Sequence, residues 1–157
     1  MYKNEHMSSF SGTYSYTVDD KGRINFKKFL KRLSSEERTN PNYHLMRQSI
    51  ESPGDKKRYP FFYIFTESTW ENFYNEKVKN MPTPKRLNLL SNLCGESSLD
   101  SSERITFPKE FLDFIKAKKA LVLQGDGSLI QVWSKENYDK YISKVGTPDE
   151  SMLDMFS

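Results

Sequence analysis

The sequence predicts an α+β fold, mainly β, organised as two tandem pseudo-symmetric units with short helices. Three observations carry this expectation. The segment VDDKGRINFKKFL, starting at Val18, has a partner in LDSSERITFPKEFL, starting at Leu99. Both contain Asp-x-x-x-Arg-Ile-x-Phe, with Asp19 and Arg23 in the first copy and Asp100 and Arg104 in the second. Each copy is followed by an apolar, strand-like stretch and then a helical one: FFYIF and TESTWENFYNEKV in the first half, SLIQVW and SKENYDKYISKV in the second. Finally, each of these helices carries an apolar face with aromatic anchors. The face is formed by Trp70, Phe73 and Tyr74 in one, and Tyr138, Tyr141, Ile142 and Val145 in the other. A motif repeated together with its flanks marks a duplicated structural unit.

Residues 1–10 read as an N-terminal extension and 11–80 as the first unit. Within that unit, residues 34–60 exceed their counterpart in the second half. Asn40-Pro41-Asn42 and Pro53-Gly54-Asp55 are turn formers, and Lys56, Lys57 and Arg58 follow them, so a mobile surface loop is expected there. Thr66 stands where a helix needs an N-cap, because its hydroxyl can accept a bond from an otherwise unpaired backbone N–H; Ser134 stands likewise in the second half. MPTPKRLNLLSNLCGE is expected as a short connecting helix packed across both halves. In it Thr83 caps, Pro84 takes the first helical position and Gly95 follows the last turn. Together with the second unit it spans 81–146. Gly125 and Gly127 in QGDGS read as a hairpin turn. Residues 147–157 form an acidic tail with Asp149, Glu150 and Asp154 and no base.

Composition narrows the function classes. Aromatics make up 14% of the 157 residues, enough to build compact cores with few aliphatic side chains. Neither a membrane-spanning run nor a secretion signal is read from the sequence, so a cytoplasmic protein is expected. Cys94 has no partner for a disulfide and follows Leu89, Leu90 and Leu93, which suggests a buried core thiol. His6 and His44 lack metal-ligand spacing, and no Gly-rich phosphate loop is present, so no cofactor is expected. The net charge of +3 is unevenly spread. Lys21, Arg23, Lys27, Lys28, Lys31 and Arg32 cluster around the first motif, whereas Arg104 and Lys109 are accompanied by Glu103 and Glu110 around the second.

The motif itself suggests a shaped turn. Asp19 and Arg23 can pair across the bend, with Lys21 and Gly22 at the tip. Arg23 could then give a bidentate contact to guanine and Lys21 a phosphate contact. Alternatively, Arg23 serves only to staple its own Asp. Two Asp residues from two repeats also admit an enzyme reading, in which Asp19 and Asp100 share a proton and activate water, but each is better explained as partner to its own Arg.

The succession TVDDKGRINFKKF, FYIFTESTWENF, MPTPKRLNLLSNLCGESSLDSSERITFPKEF and ALVLQGDGSLIQVWSKENYDKY resembles the MraZ family of bacterial transcriptional regulators, from about Gly12 to Tyr141. The resemblance implies tandem AbrB-type swapped-hairpin units assembled into a ring-shaped homo-oligomer. It also implies a nucleoid-associated protein that binds double-stranded DNA at promoter repeats of the division and cell-wall gene cluster. DNA contact is then expected at Lys21, Gly22, Arg23, Lys27 and Lys28. Asp19, Asp100 and Arg104 are expected to hold turns or to touch DNA more weakly. The second copy departs from the family pattern at Glu103, where the pattern has Gly. A carboxylate there would repel phosphates and could capture Arg104. In the first copy, Lys27 replaces the Pro seen at Pro108, which is expected to loosen the start of the next helix. The remaining reading is a structural or antitoxin-like AbrB-type oligomer whose main partner is protein.

Overall fold

The computed structural model describes residues 8–146 and 148–156; His6, most of the N-terminal extension and the two outer residues of the acidic tail lie outside them. Among these residues the fold is mixed α/β, with antiparallel strands and short helices. Two sheets are present. The larger contains β1 (Thr13–Thr17), β3 (Asn42–Glu51), β4 (Arg58–Thr66), β5 (Cys94–Ser98), β7 (Ala120–Asp126) and β8 (Leu129–Ser134), in the order β1-β7-β8-β4-β3-β5. The smaller pairs β2 (Arg23–Asn25) with β6 (Arg104–Thr106). The helices are α1 (Lys27–Leu30), α2 (Ser35–Arg38), α3 (Glu67–Phe73), α4 (Thr83–Asn92), α5 (Lys109–Phe114), α6 (Lys135–Val145) and α7 (Glu150–Leu153). None is long and apolar enough to cross a membrane.

Strands from the two halves are interleaved. β1 pairs with β7 at one edge, β5 pairs with β3 at the other, and β4 meets β8 in the middle through Phe62↔Val132 and Ile64↔Ile130. The central strand β4, YPFFYIF, is aromatic and β-branched because both its faces are covered. One face sends Phe62 and Ile64 into the main core with Phe26, Phe29, Leu45, Ile105, Phe107 and Phe111. The other face places Phe61 flat against Trp133, with ring centroids 5.1 Å apart, and Tyr141 covers Trp133 at 5.2 Å.

Local signals give several elements as expected. Thr66 Oγ1 accepts from Thr69 N at 3.2 Å and starts α3, and Ser134 Oγ accepts from Asn137 N at 3.2 Å and starts α6. Trp70 and Phe73 pack on Phe65 at 5.3 and 5.4 Å. The helix then widens into a π-turn over Tyr74–Val78 that buries Val78. On α6 only the N-terminal part of the aromatic stripe packs: Tyr138 and Tyr141 rest on Trp133, while Ile142 and Val145 remain 43% and 47% exposed. The Gly125/Gly127 turn joins β7 to β8, and Gly127 takes φ +68°.

Expectations for the first-half insert and for the connecting helix are corrected. Residues 34–60 are not a surface loop, because they form α2, all of β3 and the start of β4, leaving the short link at 39–41 and the bend at 52–57. Tyr43 and Leu45 point into the core, His44 stacks on Trp70 on the opposite face, and Arg47 returns to the first face over Phe111 at 4.7 Å, so the alternation is short and mixed with polar residues. The strand is stabilised by its pairing with β4 and with the sequence-distant β5.

The connecting helix also differs from expectation. Pro82 occupies the position before its first turn, so Thr83 lies inside the helix and makes no cap. The helix buries none of its residues, and Leu87 is 54% exposed. It therefore does not pack across both halves. Cys94 and Gly95 open strand β5 instead of ending the helix. Cys94 is half-buried, and that burial pushes its thiol up to about 11. Gly95 is required by packing: a Cβ there would lie 2.6 Å from Cε1 of Phe111.

Candidate nucleic-acid interface

In the first turn a single carboxylate fixes the chain. Asp19 Oδ1 accepts from the backbone N–H of Lys21 and of Arg23, each at 2.9 Å, and Oδ2 accepts from Arg23 Nε at 2.8 Å. The backbone closes the loop with Gly22 N to Asp19 O and Asp19 N to Arg23 O, both at 3.0 Å. These donors, led by the Arg23 backbone N–H, hold the Asp19 carboxyl below the usual carboxylate range. Because Asp19 takes Nε, the two Nη groups of Arg23 carry no partner among the described residues. The turn therefore presents the terminal guanidinium edge in a fixed direction beside an exposed Lys21.

The second turn repeats this geometry closely. Asp100 accepts from Ser102 N at 2.8 Å, Arg104 N at 2.9 Å and Arg104 Nε at 3.0 Å, and it too is held below its usual range, first by the Arg104 backbone N–H. Asp19 and Asp100 do not meet, because their turns sit at opposite ends of the β2–β6 ladder, whose pairs are Arg23↔Thr106, Ile24↔Ile105 and Asn25↔Arg104. Each carboxylate belongs to its own turn, which removes the geometry that a shared-proton site would need.

The turns differ at the residue before the Arg. Gly22 has φ +80°, and Glu103 has φ +61° in the same left-handed region, where a Cβ is strained. Glu103 does not capture Arg104, which stays on Asp100; its carboxylate instead faces Lys27 Nζ at 3.9 Å. That contact follows from the ladder. Phe26 N donates to Glu103 O at 2.9 Å and, reciprocally, Phe107 N donates to Gly22 O at 2.7 Å. Each turn is thus docked against the chain that follows the other turn.

The basic cluster read around the first motif is consequently divided in space. Lys21, Gly22 and Arg23 stay together, but Lys27 and Lys31 line a groove with Leu99 and Glu103 of the second turn. Lys28 lies over the ring of Tyr14 at 5.6 Å. The start of α1 lacks a side-chain cap, as does that of α5, although Asn25 Oδ1 accepts from Lys27 N at 2.9 Å. Beside the first turn, Lys109, Lys118 and Lys119 from the second half line the groove with Asp19, Lys21 and Gly22. Val18 N donates to Lys119 O at 2.9 Å and holds that segment in place. The run Lys116-Ala117-Lys118-Lys119 was the signal available for these residues, but it lies far from the first motif in sequence. Arg38, at the end of α2, is likewise legible as a site residue only once the fold brings it to the second turn.

This sequence has relatives. Residues 95–155 match the family model "MraZ protein, putative antitoxin-like". A Transcriptional regulator MraZ from Carboxydothermus hydrogenoformans is 26% identical over 137 residues, covering 84% of this chain and 85% of that protein. Its namesake from Treponema denticola is 27% identical over 146 residues, covering 90% and 92%. The one from Oenococcus oeni is 28% identical over 138 residues, covering 84% and 85%. The family-model match covers the second motif, and relatives named as MraZ transcriptional regulators extend the similarity over most of the chain at 26–28% identity.

Proposed function

We propose that this chain is a sequence-specific, DNA-binding transcriptional regulator that reads promoter repeats of the division and cell-wall gene cluster through its first Asp-x-x-x-Arg turn. The observation that carries the reading is the clamped Arg23. Asp19 holds Nε and leaves the Nη edge presented beside Lys21, which suits bidentate readout of guanine with an adjacent phosphate contact, while Gly22, expected at the DNA, is buried against Phe107 and shapes the turn from within. The names of its relatives support regulation of transcription.

The exchanged strand edges and the reciprocal β2–β6 ladder support tandem AbrB-type swapped-hairpin units, 11–80 and 81–146. One turn offers few contacts, so the proposal includes a ring-shaped homo-oligomer, in which neighbouring turns act at high effective concentration on repeated operator elements. Exposed Leu87, Ile142 and Val145 supply apolar surface for such self-association. On this reading the protein works in the cytoplasm on the nucleoid. The description of the family model as antitoxin-like favours one second reading, an AbrB-type oligomer whose main partner is protein.

The two are separated by titrating wild type and Arg23→Ala against a duplex from the gene's own upstream region and a scrambled duplex. We expect Arg23→Ala to lose selectivity between them. Retained selectivity would refute the placement of readout at this turn, and absence of DNA binding by the wild type would favour the protein-partner reading.

A further inference from the structure

The groove at the second turn has a character that neither motif shows by itself. It is lined by Lys27, Leu30, Lys31, Arg38, Leu99 and Glu103, three cations against one carboxylate. The cations come from the first half of the chain and the turn from the second. Glu103 faces Lys27, while Lys31 makes no ion pair among the described residues. Arg38 Nη2 donates to Leu33 O at 3.1 Å, which fixes the guanidinium at the rim and leaves Nε and Nη1 without a partner among those residues. The corresponding groove at the first turn is mixed in sign: Lys109 is bound to Asp113 at 2.8 Å, and Asp19 and Asp20 line the wall.

We infer that this second groove is a DNA-backbone site, in which Lys31 and Arg38 bind phosphodiester oxygens while the turn itself reads no bases. The inference rests on the DNA-binding reading of the first turn and divides the labour between the two. A carboxylate at Glu103 and the neutral Ser101-Ser102 tip are poorly suited to reading base edges. Lys31, with no ion pair among the described residues, and Arg38, with Nε and Nη1 open, suit phosphate, which fixes register without carrying sequence information. Because β2 and β6 pair antiparallel, the two turns face opposite ends of one ladder, and a duplex held by both would be fixed in orientation as well as position.

The test uses the full chain and the doubly substituted Lys31→Ala/Arg38→Ala, with both duplexes, across a salt series. Both side chains are exposed, and an unchanged melting temperature checks the fold. Loss of two phosphate contacts lowers the slope of log K against log salt by about 1.8. Binding to the upstream and scrambled duplexes should weaken by the same factor. The charge-preserving Lys31→Arg/Arg38→Lys should retain the slope, and Glu103→Gln should strengthen binding to both duplexes. An unchanged slope, or a loss confined to the upstream duplex, would overturn the inference. Arg23→Ala is expected to do the opposite, losing selectivity while keeping most of the slope. If Arg23→Ala stays selective while the double variant loses slope, the first-turn assignment falls and the phosphate groove stands.

Discussion

Exchanging the residues before the two arginines tests how far the turns are equivalent. Gly22→Ala puts a Cβ into a backbone at φ +80°, and that Cβ meets Phe107 O at 2.7 Å. Left-handed strain costs about 1–2 kcal/mol. Disturbing the 2.7 Å bond from Phe107 N to Gly22 O adds about 1 kcal/mol. Losing the extra freedom of glycine in the unfolded chain returns about 0.4–1 kcal/mol. The net is a destabilisation of about 2 kcal/mol, or a fall in melting temperature of roughly 4–8 °C for a chain of this size. Glu103→Gly runs the other way. It releases the strain at φ +61°, restores glycine's unfolded-state freedom and removes the exposed Lys27 contact at 3.9 Å, itself worth about 0–1 kcal/mol. These effects nearly cancel, so Glu103→Gly should stay within about 1 kcal/mol of wild type. Urea unfolding at 25 °C with paired thermal melts measures both. A Gly22→Ala protein melting within about 2 °C of wild type, or a Glu103→Gly protein losing about as much as Gly22→Ala, would show that the turns are not built on the same backbone constraint.

Other outcomes follow from the same structure. Glu37 is buried and accepts from Ser8, Ser34 and Ser68; burial raises its pKa, but the hydroxyl donors, Ser68 first, outweigh it and hold the carboxyl below its usual range. A depressed folded pKa contributes stability above the unfolded value, about 4.3, and that contribution is lost as pH falls through the folded value. Glu37→Gln should therefore cost about 1–3 kcal/mol at pH 7, and the gap to wild type should close in acid; a gap independent of pH in urea titrations would contradict this. Asp19 and Asp100 have the same sign, so DNA binding measured down an acid series should fail as the turns lose their clamps. Gly95→Ala forces its Cβ against Phe111, which is buried and packed on Phe62 at 5.3 Å, and overpacking of this kind costs about 1–3 kcal/mol. An unchanged urea midpoint would mean that the ring can retreat.

The sequence by itself determined what depends on partners a few residues away. The Asp-x-x-x-Arg turns close through bonds spanning four positions, the Thr66 and Ser134 caps span three, and the β7–β8 hairpin turns at Gly127. Tertiary structure decided the rest, because long-range strand pairing has no signature in any single segment. Pairing with β4 and β5 made a strand of residues that read as a loop. Contact with Phe111 gave Gly95 its role. The β2–β6 ladder moved Lys27 and Lys31 from the turn they follow in sequence to the turn they face in space, and the β1–β7 pairing, continued by the Val18–Lys119 bond, brought Lys118 and Lys119 to the first. Charge acts through distance in space, so the electrostatic character of each turn depends on its own residues and on cations from the half of the chain that does not contain it.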